Sequence, residues 1–303
     1  MDDDRLSAAI ANSTAFIRAL GAAGEGALTI EPEGVLAVVV PVCPERSIVN
    51  SVVYGDAASL ELAYPQLEWM YDQAGVQAWT VWVPPSDRRA LGFLSARGHV
   101  LDGEPQTMAM SLEGIATPPD DGSVHWSRGA DHALVGAIND AAYGWEGSFE
   151  RVLGALPEGV GEWYVAYLED EPAAALITFD EDANCDVNMV ATLPRAQGHG
   201  LARFLMSRAL ADARDRSCET TTLVATAAGR PLYERLGYRP FGAVQMWERR
   251  DRGQATICSQ QTDTNFEDGP LGQLHPLVEH DLALQRAVHR AFGHDLQELL
   301  PLV

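Results

Sequence analysis

The stretch Val190 to Leu210, VATLPRAQGHGLARFLMSRAL, constrains the fold of this chain more than any other, because an apolar strand runs into a glycine turn that opens directly into an amphipathic helix. Gly198 and Gly200 let the main chain curl tightly and approach a ligand without a Cβ in the way, and the first-turn amides of a helix starting near Leu201 have no intrahelical partners. Those unpaired N–H groups and the positive end of the helix dipole together favour a phosphate or pyrophosphate. Two familiar cradles are excluded. No Gly-Lys-Ser/Thr ending reaches for a terminal phosphate and magnesium, and Arg203 stands where the third glycine of a dinucleotide site would fall.

What remains is the hexad Gln197-Gly198-His199-Gly200-Leu201-Ala202, which reads as Q/R-x-x-G-x-G/A. A second block, Thr221 to Tyr238, reads TTLVATAAGRPLYERLGY: a strand to Ala225, a short helix through Leu236, and the ending Leu232-Tyr233-Glu234-Arg235-Leu236-Gly237-Tyr238. Together the two blocks resemble the GNAT superfamily of acetyl-CoA-dependent N-acetyltransferases. The resemblance implies acetyl-CoA as acyl-donor substrate. Its pyrophosphate would rest on main-chain amides of Gln197, Gly198, His199, Gly200, Leu201 and Ala202, and its pantetheine arm on main-chain groups of Val190, Ala191 and Thr192. Arg195 and Arg203 are placed to add charge attraction. Tyr233 stands where the family's general acid protonates the departing thiolate, a leaving group that needs a nearby O–H to share its charge. The alternative for Tyr233 is a packed helix tyrosine with its hydroxyl at the surface.

The attacking amine must be neutral, so a carboxylate acting directly or through water would help. Alternation along the strand from Cys185 to Ala191 groups Asp186 with Asn188 and Val190 on one face. Asp186 is therefore the expected base, the other reading being a strand-end acid near solvent. The segment DHALVGAINDAAYGW has helical spacing through Ile138 and ends in AYGW, read as a loop. In this family the chain after the first helix forms part of the acceptor pocket, so Tyr143, Trp145 and Glu146 are expected to meet the amine, against the reading that the aromatic pair caps a core.

The order of elements repeats along the chain. A helix near Leu6 to Leu20, strands at Ala27 to Val42 and Ser47 to Val53, a helix from Ala57 to Gln73, a strand from Ala78, a short helix from Ser86 to Ala96 and a strand at Gln106 to Leu112 find counterparts in the second half. Gly98-His99 aligns with Gly237-Tyr238, and MAMSL with the strand holding Gln245, Met246 and Trp247. The fold class expected is α/β, as two tandem GNAT-like domains, each a mixed, mostly antiparallel twisted sheet flanked by helices. Residues 1–113 form a degenerate copy, 114–123 a Pro/Gly/Asp-rich linker, 124–250 the catalytic domain, and 251–303 a polar linker with a C-terminal helix. The first copy is read as degenerate because Tyr54-Gly55-Asp56-Ala57 replaces the glycine hexad, Asp56 would repel a phosphate, and Leu94 occupies the position of Tyr233. In the tail, Leu277, Val278, Leu282, Val288, Phe292, Leu296 and Leu300 approximate one helical face that could dock on the body or a second copy, leaving room for a homodimer.

A net charge of −22 argues against nucleic acid or an anionic membrane as partner and suits either a cationic amine, small-molecule or peptide, or simple solubility. No apolar run is long enough to span a bilayer, and the acidic start is unlike a secretory leader. Cys43, Cys185, Cys218 and Cys258 are scattered, which fits a reducing cytoplasm, and His275, His280, His289 and His294 lack ligand spacing, so no metal is expected. The function expected is transfer of an acetyl group from acetyl-CoA to a primary amine by direct attack. The alternative is a non-enzymatic acyl-CoA-binding module that regulates a partner.

Overall fold

Each half of the chain lends one strand to the other half's sheet. The structure, a computed structural model, describes residues 14–250. The expected helical face of the tail, its histidines, Cys258 and the start of the first helix lie outside the described residues.

The first half contributes helix α1 (14–20), β1 (Leu28–Ile30), β2 (Val35–Val39), β3 (Ser51–Tyr54), α2 (Ala57–Gln73), β4 (Ala78–Val83), α3 (Arg88–Ala96), β5 (Val100–Gly103) and β6 (Gln106–Ser111). The second contributes β7 (His125–Arg128), α4 (His132–Tyr143), α5 (Ser148–Gly154), β8 (Glu162–Leu168), β9 (Glu171–Glu181), β10 (Asn184–Thr192), α6 (Leu201–Asp215), β11 (Thr220–Ala225), α7 (Arg230–Leu236), β12 (Arg239–Ala243) and β13 (Gln245–Arg250). The six-stranded sheet runs β1-β2-β3-β4-β13-β5 and the seven-stranded sheet β12-β6-β11-β10-β9-β8-β7. The inner strands correspond one to one, with β13 and β6 exchanged between sheets. Within each sheet one internal pair is parallel, β3 with β4 and β10 with β11, and the rest are antiparallel.

Period-two alternation explains the layering. In VLAVV, Val35, Ala37 and Val39 face α2 and α3, while Leu36 and Val38 face inward. The inward faces of both sheets share one core with α1, α4 and α5, joining Trp82 and Met246 of the first sheet to Trp163, Ile177 and Met189 of the second. The outer face of the second sheet packs on α6 and α7 through Val187, Leu205, Ala209 and Tyr233. With both faces covered, β4 is buried at every position, as a strand with no solvent face must be.

Three expectations need correction. The helix read as ending near Ile138 continues to Tyr143, and the loop begins only at Gly144, whose left-handed conformation closes the helix. Helix α5 was not foreseen: no side chain of its own N-cap residue, Gly147, closes it, and Asp140 from α4 instead accepts from Phe149 N at 3.0 Å and Glu150 N at 2.8 Å. Val190 does not share a face with Asp186 and Asn188. A β-bulge shifts the β9 register between Asn188 and Ala191, Met189 takes φ = 56°, and Val190 turns into the outer core with Val187.

Candidate functional site

Strand β10 carries two features that a plain sheet strand lacks. Its parallel pairing with β11 ends at Val187 with Leu223, although β10 runs on to Thr192 and β11 to Ala225. The strands part there, beside the bulge. A short 3₁₀ turn, Pro194–Ala196, then leads through Gln197 to Gly198 and Gly200, with φ of 81° and 79°, and into α6. A Cβ on either glycine would meet nothing within 4 Å, so the left-handed backbone is what demands glycine there. Gly200, the N-cap of α6, has no side chain to satisfy the first-turn amides.

Between the strand end, this loop and α7 lies a groove of about 490 Å³, lined by Thr192, Gln197, Gly198, Gly200, Leu201, Ala202 and Arg203 on one side and by Ala228, Leu232 and Arg235 on the other. Six of the residues expected to hold the donor line it. His199 instead folds against its own loop, Nδ1 lying 3.2 Å from the Ala196 carbonyl and 3.1 Å from that of Gln197. Arg195 turns away to donate to Pro172 O at 3.0 Å. Arg203 stays in the groove, joined by Arg235, which sequence reasoning did not single out although it lies inside the LYERLGY ending. Uncapped amides and two guanidinium groups suit a phosphate-bearing ligand.

Asp186 lies on the inward face of β10, 4% exposed, so it is not a strand-end acid near solvent. Thr222 donates to its Oδ1 at 3.0 Å and Asn188 to its Oδ2 at 2.8 Å. Asn184 donates to Thr222 Oγ1, and Thr220 to Asn184 Oδ1, both at 2.9 Å, so a relay of donors runs along the paired part of β10 and β11 and ends on the carboxylate. Burial nonetheless pushes the carboxyl up to about 7, against the lowering effect of those two donors. That value suits a base working at neutral pH.

Tyr233 is buried, 1% exposed, in the outer core that also holds Val190 and Ala225, its ring edge-on to Tyr238 at 6.0 Å. Gly229 makes room for it: a Cβ there would come within 2.9 Å of Tyr233 Cε2. Tyr233 and Asp186 therefore stand on opposite faces of the second sheet, beside the same strands.

Of the three residues expected around the acceptor, Tyr143 and Trp145 lie in ring contact at 5.6 Å, and none of the three lines the groove described above. Tyr143 is buried and donates from its hydroxyl to Val190 O at 2.8 Å. Trp145 stacks on Phe149 at 4.6 Å and carries the Arg46 guanidinium at 4.7 Å on its ring. Glu146 is exposed, and its carbonyl accepts from Arg151 at 3.4 Å. Among the described residues, no group of three or more His, Cys, Asp or Glu is disposed to hold a metal ion, and no helix is long and apolar enough to cross a membrane.

The corresponding junction of the first half is built differently. Strand β3 pairs with β2 without a register break and passes through Gly55 straight into α2. There Asp56 accepts from Ala58 N at 2.8 Å and Ser59 N at 2.9 Å, filling the helix start with its own carboxylate.

A parted parallel strand pair beside a glycine turn and an uncapped helix start makes this an α/β protein whose helix start is suited to a phosphate-bearing ligand. Comparison adds a family likeness for part of the chain: residues 159–240 match the model of the acetyltransferase (GNAT) domain. Solved structures share the fold. A GCN5-related N-acetyltransferase from Kribbella flavida superposes with a TM-score of 0.57 at 15% identity, covering 80% of this chain and 96% of that one. A functionally unknown conserved protein from Staphylococcus epidermidis ATCC 12228 gives 0.55 at 15%, covering 75% and 95%. A GCN5-related N-acetyltransferase from Sphaerobacter thermophilus gives 0.50 at 19%, covering 72% and 81%. No curated protein matches the sequence. Acyl transfer is the general activity that the domain family supports.

Proposed function

We propose that the second half of the chain transfers an acetyl group from acetyl-CoA to a primary amine of a small molecule or peptide. The observation that carries this reading is the meeting, on one groove, of the end of β10 at Thr192, just past the parting from β11, and the uncapped start of α6; Val190 and Ala191 do not line that groove. Main-chain amides at Gly198 to Ala202, with Arg203 and Arg235, would hold the pyrophosphate, and the edge of β10 at Val190 to Thr192 would hold the pantetheine arm. Val190 contributes through its N–H, its carbonyl being taken by Tyr143.

In the reaction the amine nitrogen bonds to the thioester carbonyl carbon and the carbon–sulfur bond breaks. Asp186 takes the proton that the nitrogen loses, directly or through a water, and Tyr233 gives one to the leaving thiolate. No acyl-enzyme is needed, since substrates held in line react directly. Trp145 and Glu146 remain the acceptor-side residues of this reading. A net charge of −22 would draw a cationic amine towards the protein.

The first half, on this reading, holds no donor and braces the second. Glu45 accepts from Ser148 at 2.8 Å and Arg151 at 2.7 Å, tying the loop before β3 to α5. Asp56 occupying the start of α2 favours the same view.

Calorimetric titration with acetyl-CoA tests the proposal. One site per chain is expected, followed by amine-dependent release of free thiol. Two sites would give the first half a donor of its own, and none would remove the acetyl-transfer reading. Binding without turnover on any amine would favour a regulatory acyl-CoA-binding module.

A further inference from the structure

The carbonyls of Met189 and Val190 both leave the sheet towards the same helix. In a regular strand successive carbonyls turn to opposite neighbours, and each buried one needs a donor. Here Asn139 Nδ2 donates to Met189 O at 3.2 Å, and Tyr143 donates from its hydroxyl to Val190 O at 2.8 Å. The two side chains stand four residues apart on one face of α4, both buried. Met189, a residue with a Cβ, sits between them at φ = 56°, a conformation that persists only where its surroundings enforce it. The bulge therefore has its donors supplied from outside the sheet, at the point where β10 leaves β11.

We propose that Asn139 and Tyr143 are positioning residues for the acyl donor: they hold β10 in its bulged, parted form and so keep its edge open to the pantetheine arm. The inference rests on the donor site proposed above. Without these donors, the two buried carbonyls would regain partners most directly by straightening β10 and extending its pairing with β11 past Val187, which closes the parting. Helix α4 is fixed firmly enough to impose the bulge, because Gly136 brings it against the backbone of α5, where a Cβ would lie 2.4 Å from Phe149 O.

The test is calorimetric titration of acetyl-CoA into the full chain and into Tyr143→Phe, which removes one hydroxyl and leaves the ring. Tyr167→Phe, which removes a hydroxyl 3.3 Å from Ser127 on the far side of the same sheet, is the control. Measured well below the melting temperature, Tyr143→Phe should bind about tenfold more weakly, the scale of one hydrogen bond. Tyr167→Phe should match wild type, and amide exchange at Val190 to Thr192 should change only in Tyr143→Phe. Equal affinity for Tyr143→Phe and wild type, with the wild type binding, overturns the positioning role and leaves the donor site standing. Absence of binding by the wild type removes the donor site and this inference with it.

Discussion

Thr222 donates to Asp186 Oδ1 at 3.0 Å across the parallel pair of β10 and β11, one register step before those strands part. The relay that feeds this bond through Thr220 and Asn184 uses only side chains of the two strands. The carboxylate is thereby held on the paired part of the sheet, one register step short of the parting. On the proposed reading, a fixed base stands at the edge of the gap that receives the thioester.

Asp186→Asn should lower acetyl transfer about a hundredfold with little change in acetyl-CoA affinity, the usual scale for losing a general base. The base acts when deprotonated, so wild-type rate should rise with pH through about 7 and this limb should vanish in the variant. Stability follows the opposite course. Because folding raises this group from 3.8 to about 7, its contribution is complete below pH 4 and falls as pH rises through 7. A pH–rate profile of unchanged shape in Asp186→Asn would assign the titration to another group.

Tyr233→Phe should reduce kcat about a hundredfold and leave KM for acetyl-CoA nearly unchanged, because the ring stays packed against Tyr238 and only the O–H is lost. Steady-state kinetics against donor concentration separates the two constants. Unchanged kcat would reduce Tyr233 to a packing residue of the outer core.

The glycine turn of the groove was legible in the sequence because its parts are local. Gly198, Gly200 and the helix start at Leu201 are contiguous, and their backbone requirements do not depend on distant contacts. Strand β10 and helix α2 likewise show in their own periodicity. What distant groups decide was not legible. Helix α5 is capped by Asp140, nine and ten residues back, and Val190 changes face because α4 supplies donors to a bulge. The exchange of β6 and β13 leaves no trace either, since QTMAMS and QMWERR would present the same alternation to either sheet.

Two glycines should fail in different ways when changed to alanine. At Gly136 the Cβ would press on the backbone of Phe149 and Glu150, so Gly136→Ala should cost about 2–3 kcal/mol. At Gly200 there is open space and φ of 79°, so Gly200→Ala should cost only about 1 kcal/mol while weakening acetyl-CoA binding at the helix start. Denaturant unfolding and calorimetric titration on both variants check the pair. Equal destabilisation would mean that α4 and α5 can move apart, and unchanged binding by Gly200→Ala would take the pyrophosphate away from this loop.

Strand exchange makes the halves depend on each other. In the first sheet β5 is held only through β13, and in the second β12 is held only through β6, so separating the halves strips each sheet of two strands. Met246 and Trp247 would leave the first half's cores, and Met108 the second's. Chains divided within 119–123, the exposed part of the connection, should therefore unfold without a cooperative transition when expressed singly. Mixed from denaturant, they should recover one cooperative melt and elute together, because every strand again finds its register partner. A cooperative melt from either fragment alone would show that a half closes its own sheet, with β6 or β13 returning to the position its counterpart now fills.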